Sequence, residues 1–177
     1  STMAWGAAAD PDEHVRKLVE RIQKGRGPEC IAFLPSRKLT STGAELLAEC
    51  LVEAGRQAGP VELLCSGHDV GRAGALALGK AVRASRLQIV AALAATQDVL
   101  EFAEGLQADP SGPPALVRTL DLSHKTLTLA GTRALGKALQ VLAGLRKLSL
   151  SRNPGLGDGG LAEIAGALGA VVELDVG

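Results

Sequence analysis

Two segments of the chain have the spacing of a phosphate-binding loop, GxxxxGK, at residues 74–80 and 131–137. Both lack the Ser or Thr that would follow the lysine and hold magnesium. Each also lies within a leucine pattern typical of a helix, whereas a phosphate loop lies between a strand and a helix. We therefore interpret the two matches as parts of an internal repeat, and the sequence predicts no nucleotide and no other cofactor.

A second candidate for chemistry is the cluster Asp121, Ser123 and His124. A Ser-His-Asp relay requires the three side chains to converge, but adjacent residues on a strand point to opposite faces of the sheet. No pair of carboxylates is spaced for acid–base catalysis either. We expect His124 to have a structural role in a turn, and the sequence predicts that the protein is not an enzyme.

Three cysteines, Cys30, Cys50 and Cys65, are an odd number and form no CxxC pair. The spacing does not predict a metal site, because zinc ligands lie closer together and usually include histidine. We interpret the cysteines as small buried hydrophobic residues in a reducing compartment, which predicts a cytoplasmic, intracellular location.

The composition excludes further classes of partner. Lys plus Arg equals Asp plus Glu, 19 of each, and only 2% of the residues are aromatic. Nucleic-acid binding is not expected, since it calls for positive charge and aromatic stacking platforms. No membrane association is predicted, because no apolar run approaches ~18 residues. The N-terminus lacks the pattern of a secretory signal. We expect the chain to be the N-terminal arm of a larger protein.

The elements that would position these residues form a repeat. Residues 117–139 combine alternating apolar positions, typical of a short strand, with a helical apolar face. Residues 145–168 repeat the pattern 28 positions later, from Leu120 to Leu148. The matching positions are Val117, Leu120, Leu122, Gly131, Leu135 and Leu139 in one copy and Leu145, Leu148, Leu150, Gly160, Ile164 and Leu168 in the other. Leu127 closes the turn of the first copy, and Asn153 follows Leu150 by three residues in the second. A unit of this length needs neighbours to bury its two apolar faces.

This pattern, LxxLxLxx(N)xLxxxGxxxLxxxL, resembles a leucine-rich repeat of the ribonuclease-inhibitor-like class, and the resemblance covers about residues 29–176. It implies an α/β leucine-rich repeat solenoid, a horseshoe arc with a parallel inner β-sheet and outer α-helices. Function on such a scaffold depends on its exposed positions.

Three segments follow from this interpretation. Residues 1–9 are expected to be flexible, and residues 10–28 to form an N-terminal capping helix that Asp10 caps, with Pro11 in its first turn. Residues 29–177 would hold about five repeats and a final strand. The register of the first strand stays open. Either Ala32 and Leu34 or Ile31 and Phe33 point inward. The third strand is expected to place Val90 and Ala92 inward.

The exposed strand positions predict the binding surface. In this class of repeat the strands line the concave face, and the side chains between the core positions carry both signs of charge, which suits a polar protein partner. The predicted partner-binding residues are Arg118, Asp121, His124, Arg146, Lys147, Ser149, Arg152 and Glu173. We expect a protein–protein interaction module that acts as a recognition arm or scaffold.

Two alternatives to this function stay open. Some proteins with similar repeats activate small GTPases, so the resemblance allows a regulator of such a GTPase. The last strand is not followed by a helix, so the chain could also self-associate through its open C-terminal edge.

Overall fold

A computed structural model describes residues 10–33, 38–55, 61–64, 70–85, 87–90, 96–108, 118–124, 126–169 and 171–177. In this part of the chain, helices and strands alternate. The helices are α1 (Glu13–Gln23), α2 (Ser41–Ala54), α3 (Gly71–Ala84), α4 (Thr96–Gln107), α5 (Leu129–Leu139) and α6 (Gly157–Ala165). The strands are β1 (Cys30–Ala32), β2 (Val61–Leu64), β3 (Leu87–Val90), β4 (Thr119–Asp121), β5 (Lys147–Ser149) and β6 (Glu173–Asp175).

The strands form one parallel sheet in the order β1-β2-β3-β4-β5-β6. Neighbouring parallel strands need a crossover connection, and α2 to α6 each lie between two successive strands in the chain. Helices that follow one another in the chain also contact one another. The expected mixed α/β fold with a parallel sheet is therefore confirmed.

Strand pairing decides the registers on which the sequence was ambiguous. Ile31 pairs with Leu63 and is buried, whereas Ala32 is exposed. The first strand therefore takes the register that places Ile31 inward. The third strand differs from the expectation, because Ile89 pairs with Leu63 and Val90 pairs with Asp121. Val90 thus occupies the row of the polar positions, and Ala92 lies outside the described residues. Apolar residues occupy both alternating sets of positions in Leu87–Val90, so only pairing with the neighbouring strands can decide which set takes the core row.

The core lies between the sheet and the helices. Buried leucines of the strands, such as Leu63 and Leu148, belong to one cluster with buried leucines of the helices, such as Leu47 and Leu135. Among the described residues, the largest fully buried side chain is that of Phe102, in α4. Because one face of the sheet supplies this core, the polar residues that alternate with it along the strands are left on the other face.

The capping helix begins two residues later than predicted. Asp12, not Asp10, is the N-cap residue of α1, and Asp10 accepts a hydrogen bond from the Asp12 N–H at 3.0 Å. The reason is a tertiary contact: Thr40 Oγ1 donates to Asp12 Oδ1 at 2.7 Å and also accepts from the Gly43 N–H at 3.0 Å. Asp12 is buried by this contact, which ties the first turn of α1 to that of α2.

Helices α3 and α4 approach each other through two glycines. A Cβ atom on Gly79 would lie 3.0 Å from the Cα of Gly105 and would collide with the carbonyl oxygen of Phe102. Gly79 is the second glycine of the segment at residues 74–80, which lies wholly within α3. The second phosphate-loop match, at residues 131–137, lies within α5. The helical interpretation of both segments is therefore confirmed.

In the described part of the chain, no helix combines the length and the apolarity that are needed to cross a lipid bilayer.

Candidate functional site

The candidate site is the polar face of the last three strands, called here the polar sheet face. Strand pairing aligns its residues in two rows across the sheet. Thr119, Lys147 and Glu173 form one row, and Asp121, Ser149 and Asp175 form the other. Adjacent parallel strands lie ~4.8 Å apart, so residues of one row are direct neighbours.

Lys147 and Glu173 form an ion pair on this face. Lys147 Nζ lies 2.6 Å from Glu173 Oε1, and the two side chains are 48% and 62% exposed. The hydrogen bond and charge of Glu173 raise the pKa of Lys147, and the charges of Asp175 and Asp121 act in the same direction. Because the pair is exposed, it is weak and can be opened by a competing charge. Both predicted binding residues are thus accessible, but each already has a partner.

Ser149 does not project from the polar sheet face. Its side chain is only 9% exposed, and its hydroxyl donates to Asp175 Oδ2 at 3.2 Å. The Gly177 N–H donates to the other carboxylate oxygen of Asp175, and this bond, followed by that of Ser149, keeps the pKa of Asp175 below its usual value. Asp175 therefore stays ionised and oriented. Ser149, one of the predicted contact residues, is therefore mostly buried and bonded to Asp175.

Arg118 and Arg146 take equivalent places immediately before β4 and β5. The carbonyl oxygen of Arg118 accepts from the N–H groups of Arg146 and Lys147, at 2.8 and 2.9 Å. The carbonyl oxygen of Arg146 accepts in the same way from Val172 and Glu173, at 2.8 and 3.0 Å. Both arginines are exposed. The repeated backbone bonding therefore places two exposed arginines at equivalent positions of neighbouring repeats.

His124 and Arg152 lie in the turns that follow β4 and β5, and both have left-handed backbone conformations, with φ of 57° and 55°. Each donates its N–H to the next repeat, His124 to the Ser151 carbonyl at 3.0 Å and Arg152 to the Gly177 carbonyl at 2.8 Å. Left-handed backbone is costly for residues with a Cβ atom. These hydrogen bonds between repeats hold His124 and Arg152 in a strained backbone conformation, with their exposed side chains beside the polar sheet face.

The strain at Arg152 can be measured by comparing two substitutions. We expect Arg152→Gly to be more stable than Arg152→Ala by about 1 kcal/mol, because only alanine keeps the Cβ atom that disfavours positive φ. Arg133, exposed in α5, is the control. There the glycine variant is expected to be less stable than the alanine variant by about 1 kcal/mol. Urea unfolding of the four variants measures both differences, and the same sign at both sites would contradict the assignment.

The structure brings the predicted residues together at one end of the sheet. Arg118, Asp121, Arg146, Lys147, Ser149 and Glu173 lie on or directly before β4, β5 and β6, and His124 and Arg152 lie in the adjoining turns. Sequence reasoning missed the orienting role of Asp175, which only the strand register reveals. In α1, the ring of His14 packs against that of Phe33, with the ring centres 5.7 Å apart.

Within the described ranges, no group of three or more His, Cys, Asp or Glu side chains is arranged to hold a metal ion. No protein-family model matches the chain, and no curated protein is significantly similar to it.

Proposed function

We propose that this chain is a leucine-rich repeat domain of the ribonuclease-inhibitor-like class, with the sheet as its inner, concave layer and the helices outside. The consecutive parallel order of the strands supports this proposal, as does the pairing of equivalent leucines such as Leu120 with Leu148. Asn153 adds a bond between repeats. Its side-chain N–H₂ group donates to the carbonyl oxygens of Leu150 and Leu122, and its Oδ1 accepts from the Leu127 N–H.

We infer that the domain binds a protein partner at the polar sheet face and performs no catalysis. The observation that carries this inference is the equivalent placement of two exposed arginines, Arg118 and Arg146, directly before β4 and β5, in a sheet whose polar face carries the carboxylates of Asp121 and Glu173. Arginine forms bidentate bonds with carboxylates and is enriched among the residues that dominate binding energy. The mixture of charges favours a partner with complementary acidic and basic groups.

The cellular setting stays a prediction from the sequence: an intracellular, reducing compartment, with this domain as the recognition arm or scaffold of a larger protein. Two alternative hypotheses stay open. Regulation of a small GTPase comes from the resemblance, and self-association through the β6 edge comes from the strand pattern.

Affinity capture from cell lysate, followed by mass spectrometry, tests the binding face. We expect the Arg118→Ala/Arg146→Ala variant to bind its partner about 30-fold more weakly or worse than the wild-type chain, the loss of one dominant contact of about 2 kcal/mol. Neither substitution removes a buried side chain, so the melting temperature should stay within a few degrees of wild type.

The matched control is Arg21→Ala/Arg26→Ala, which removes two exposed arginines at the end of α1 and after it. This variant should capture the same proteins as the wild-type chain. If all three forms capture the same proteins in equal amounts, the polar sheet face is not the binding surface.

A further inference from the structure

A groove on the helical side of the molecule is a second candidate surface, separate from the polar sheet face. It has a volume of about 870 Å³ and runs between α2 and α3, with the end of α4 beside it. Its volume is within the range of ~300–1,000 Å³ that is common for ligand sites. The residues that carry the argument are Glu49, Val52 and Glu53 of α2 and Ala73 and Ala77 of α3, while the basic residues Lys80 and Arg83 line the α3 side.

This groove, called here the outer groove, is lined along its base by small apolar side chains. Ala73 and Ala77 follow one another at helical spacing along α3, and Ala48 lines the groove from α2. Alanine side chains let another backbone approach closely, as small residues do at the contact between α3 and α4. Val52 remains 41% exposed on the α2 wall. A helix with one apolar stripe fits such a surface, because its larger side chains fill the space above the alanines.

The α2 wall is acidic. Glu45, Glu49 and Glu53 are spaced four residues apart, so they line up along one side of the helix. Glu45 accepts a weak hydrogen bond of 3.5 Å from Ser41 Oγ, while Glu49 and Glu53 are exposed and form no ion pair with any described residue.

This acidic row is unfavourable for α2 on its own. Like charges four residues apart on a helix repel each other. Glu53 also lies in the last turn of α2, where the helix dipole favours positive charge and the sequence provides none. Positive groups of a bound partner would relieve both effects.

We propose that the outer groove docks an amphipathic helix of a protein partner, with its apolar stripe on Ala73 and Ala77 and lysine or arginine side chains beside Glu49 and Glu53. Two other occupants fit less well. An anionic membrane surface would be repelled by the glutamates. The basic helix α1 of a second copy already packs through its apolar residues, such as the fully buried Val15, against its own α2.

A designed peptide of about 16 residues serves as the probe, since shorter helices are marginal in water. It carries leucines at helical spacing on one face and lysines only on the flank that would face Glu49 and Glu53 of α2, away from Lys80 of α3. A matched peptide carries glutamates in place of the lysines. Fluorescence anisotropy with the full chain measures both affinities. We expect the lysine peptide to bind at least tenfold more tightly than the glutamate peptide, and the Glu49→Lys/Glu53→Lys variant to reverse this preference.

The control variant Glu20→Lys/Glu62→Lys makes the same change in net charge at two exposed positions of α1 and β2. It should keep the preference of the wild-type chain. Methyl NMR of labelled alanines should show shifts at Ala73 and Ala77 when the lysine peptide is added. The Arg118→Ala/Arg146→Ala variant should bind this peptide as wild type does, so that failure of one surface is distinguishable from failure of the other.

Three results would overturn the proposal. One is equal binding of both peptides by the wild-type chain, or no binding by either. Another is binding that leaves the Ala73 and Ala77 methyl signals unchanged. The third is a doubling of the mass of the wild-type chain in sedimentation that Glu49→Lys/Glu53→Lys abolishes, which would make a second copy the occupant.

Discussion

Replacement of Gly79 by alanine is expected to lower the free energy of unfolding by about 3 kcal/mol or to prevent folding. The added Cβ atom would collide with the carbonyl oxygen of Phe102 and lie 3.0 Å from the Cα of Gly105 and 3.1 Å from the Leu106 nitrogen. These are backbone atoms of a facing helix, so they cannot turn aside as a side chain could. Helices α3 and α4 would have to separate, which would loosen the packing of buried Phe102 and Leu106.

Gly159→Ala is the matched control for this prediction. Gly159 also lies within a helix, α6, but nothing lies within 4 Å of the position its Cβ atom would take. Alanine is the better helix former, so this substitution should raise the free energy of unfolding by about 0.5–1 kcal/mol. Urea unfolding followed by circular dichroism measures both variants. A Gly79→Ala variant within about 0.5 kcal/mol of wild type would disprove the close contact of α3 and α4.

Replacement of Asn153 by alanine is the second large effect, with an expected loss of about 3 kcal/mol. The side chain is 7% exposed and fills a turn between two repeats. It donates to the carbonyl oxygens of Leu150 and Leu122, at 2.7 and 2.9 Å, and accepts from the Leu127 N–H at 3.2 Å. Truncation leaves these buried backbone groups without the amide, and each unsatisfied group costs about 1–3 kcal/mol before water or relaxation compensates.

Two further variants define the cause of this loss. Asn153→Asp has nearly the same shape and keeps the acceptor for Leu127, but it places a carboxylate oxygen beside the carbonyls of Leu122 and Leu150. It should therefore be as unstable as Asn153→Ala at neutral pH. Gln140→Ala removes an exposed amide after α5 and should change stability by less than about 0.5 kcal/mol. A stable Asn153→Asp variant would show that the size of the side chain matters and its donors do not.

The two stability predictions bear on the proposed binding surfaces in different ways. Asn153 follows Arg152 directly, so its loss should disturb the turn beside the polar sheet face. Gly79 lies next to Lys80, which lines the outer groove. Partial unfolding from either substitution should therefore weaken binding at the nearer surface first, if the two surfaces bind independently.

Much of the candidate site could be predicted from the sequence, because side chains along a β-strand alternate between the two faces of the sheet every second residue. In a strand with one buried face, the residues between the leucines must lie on the other face. Leu120 and Leu148 therefore placed Thr119, Asp121, Lys147 and Ser149 without any knowledge of the tertiary structure. The same rule could not show that Ser149 is hydrogen-bonded to Asp175, or that Lys147 forms an ion pair with Glu173. Each of these contacts joins residues that lie 26 positions apart in the sequence.

The sequence by itself determined the alternation of strands and helices, the leucines and glycines of the core, and the helical nature of the two phosphate-loop matches. These features follow from local periodicity, which each repeat carries within its own residues. The tertiary structure alone decided the registers of β1 and β3, the N-cap of α1 at Asp12 and the paired glycines of α3 and α4. Each of these depends on a contact with the neighbouring repeat: Ile31 and Ile89 with Leu63, Asp12 with Thr40, and Gly79 with Gly105. A repeat cannot bury its apolar faces alone. Contacts with its neighbours therefore decide which of several locally possible registers and helix starts it adopts.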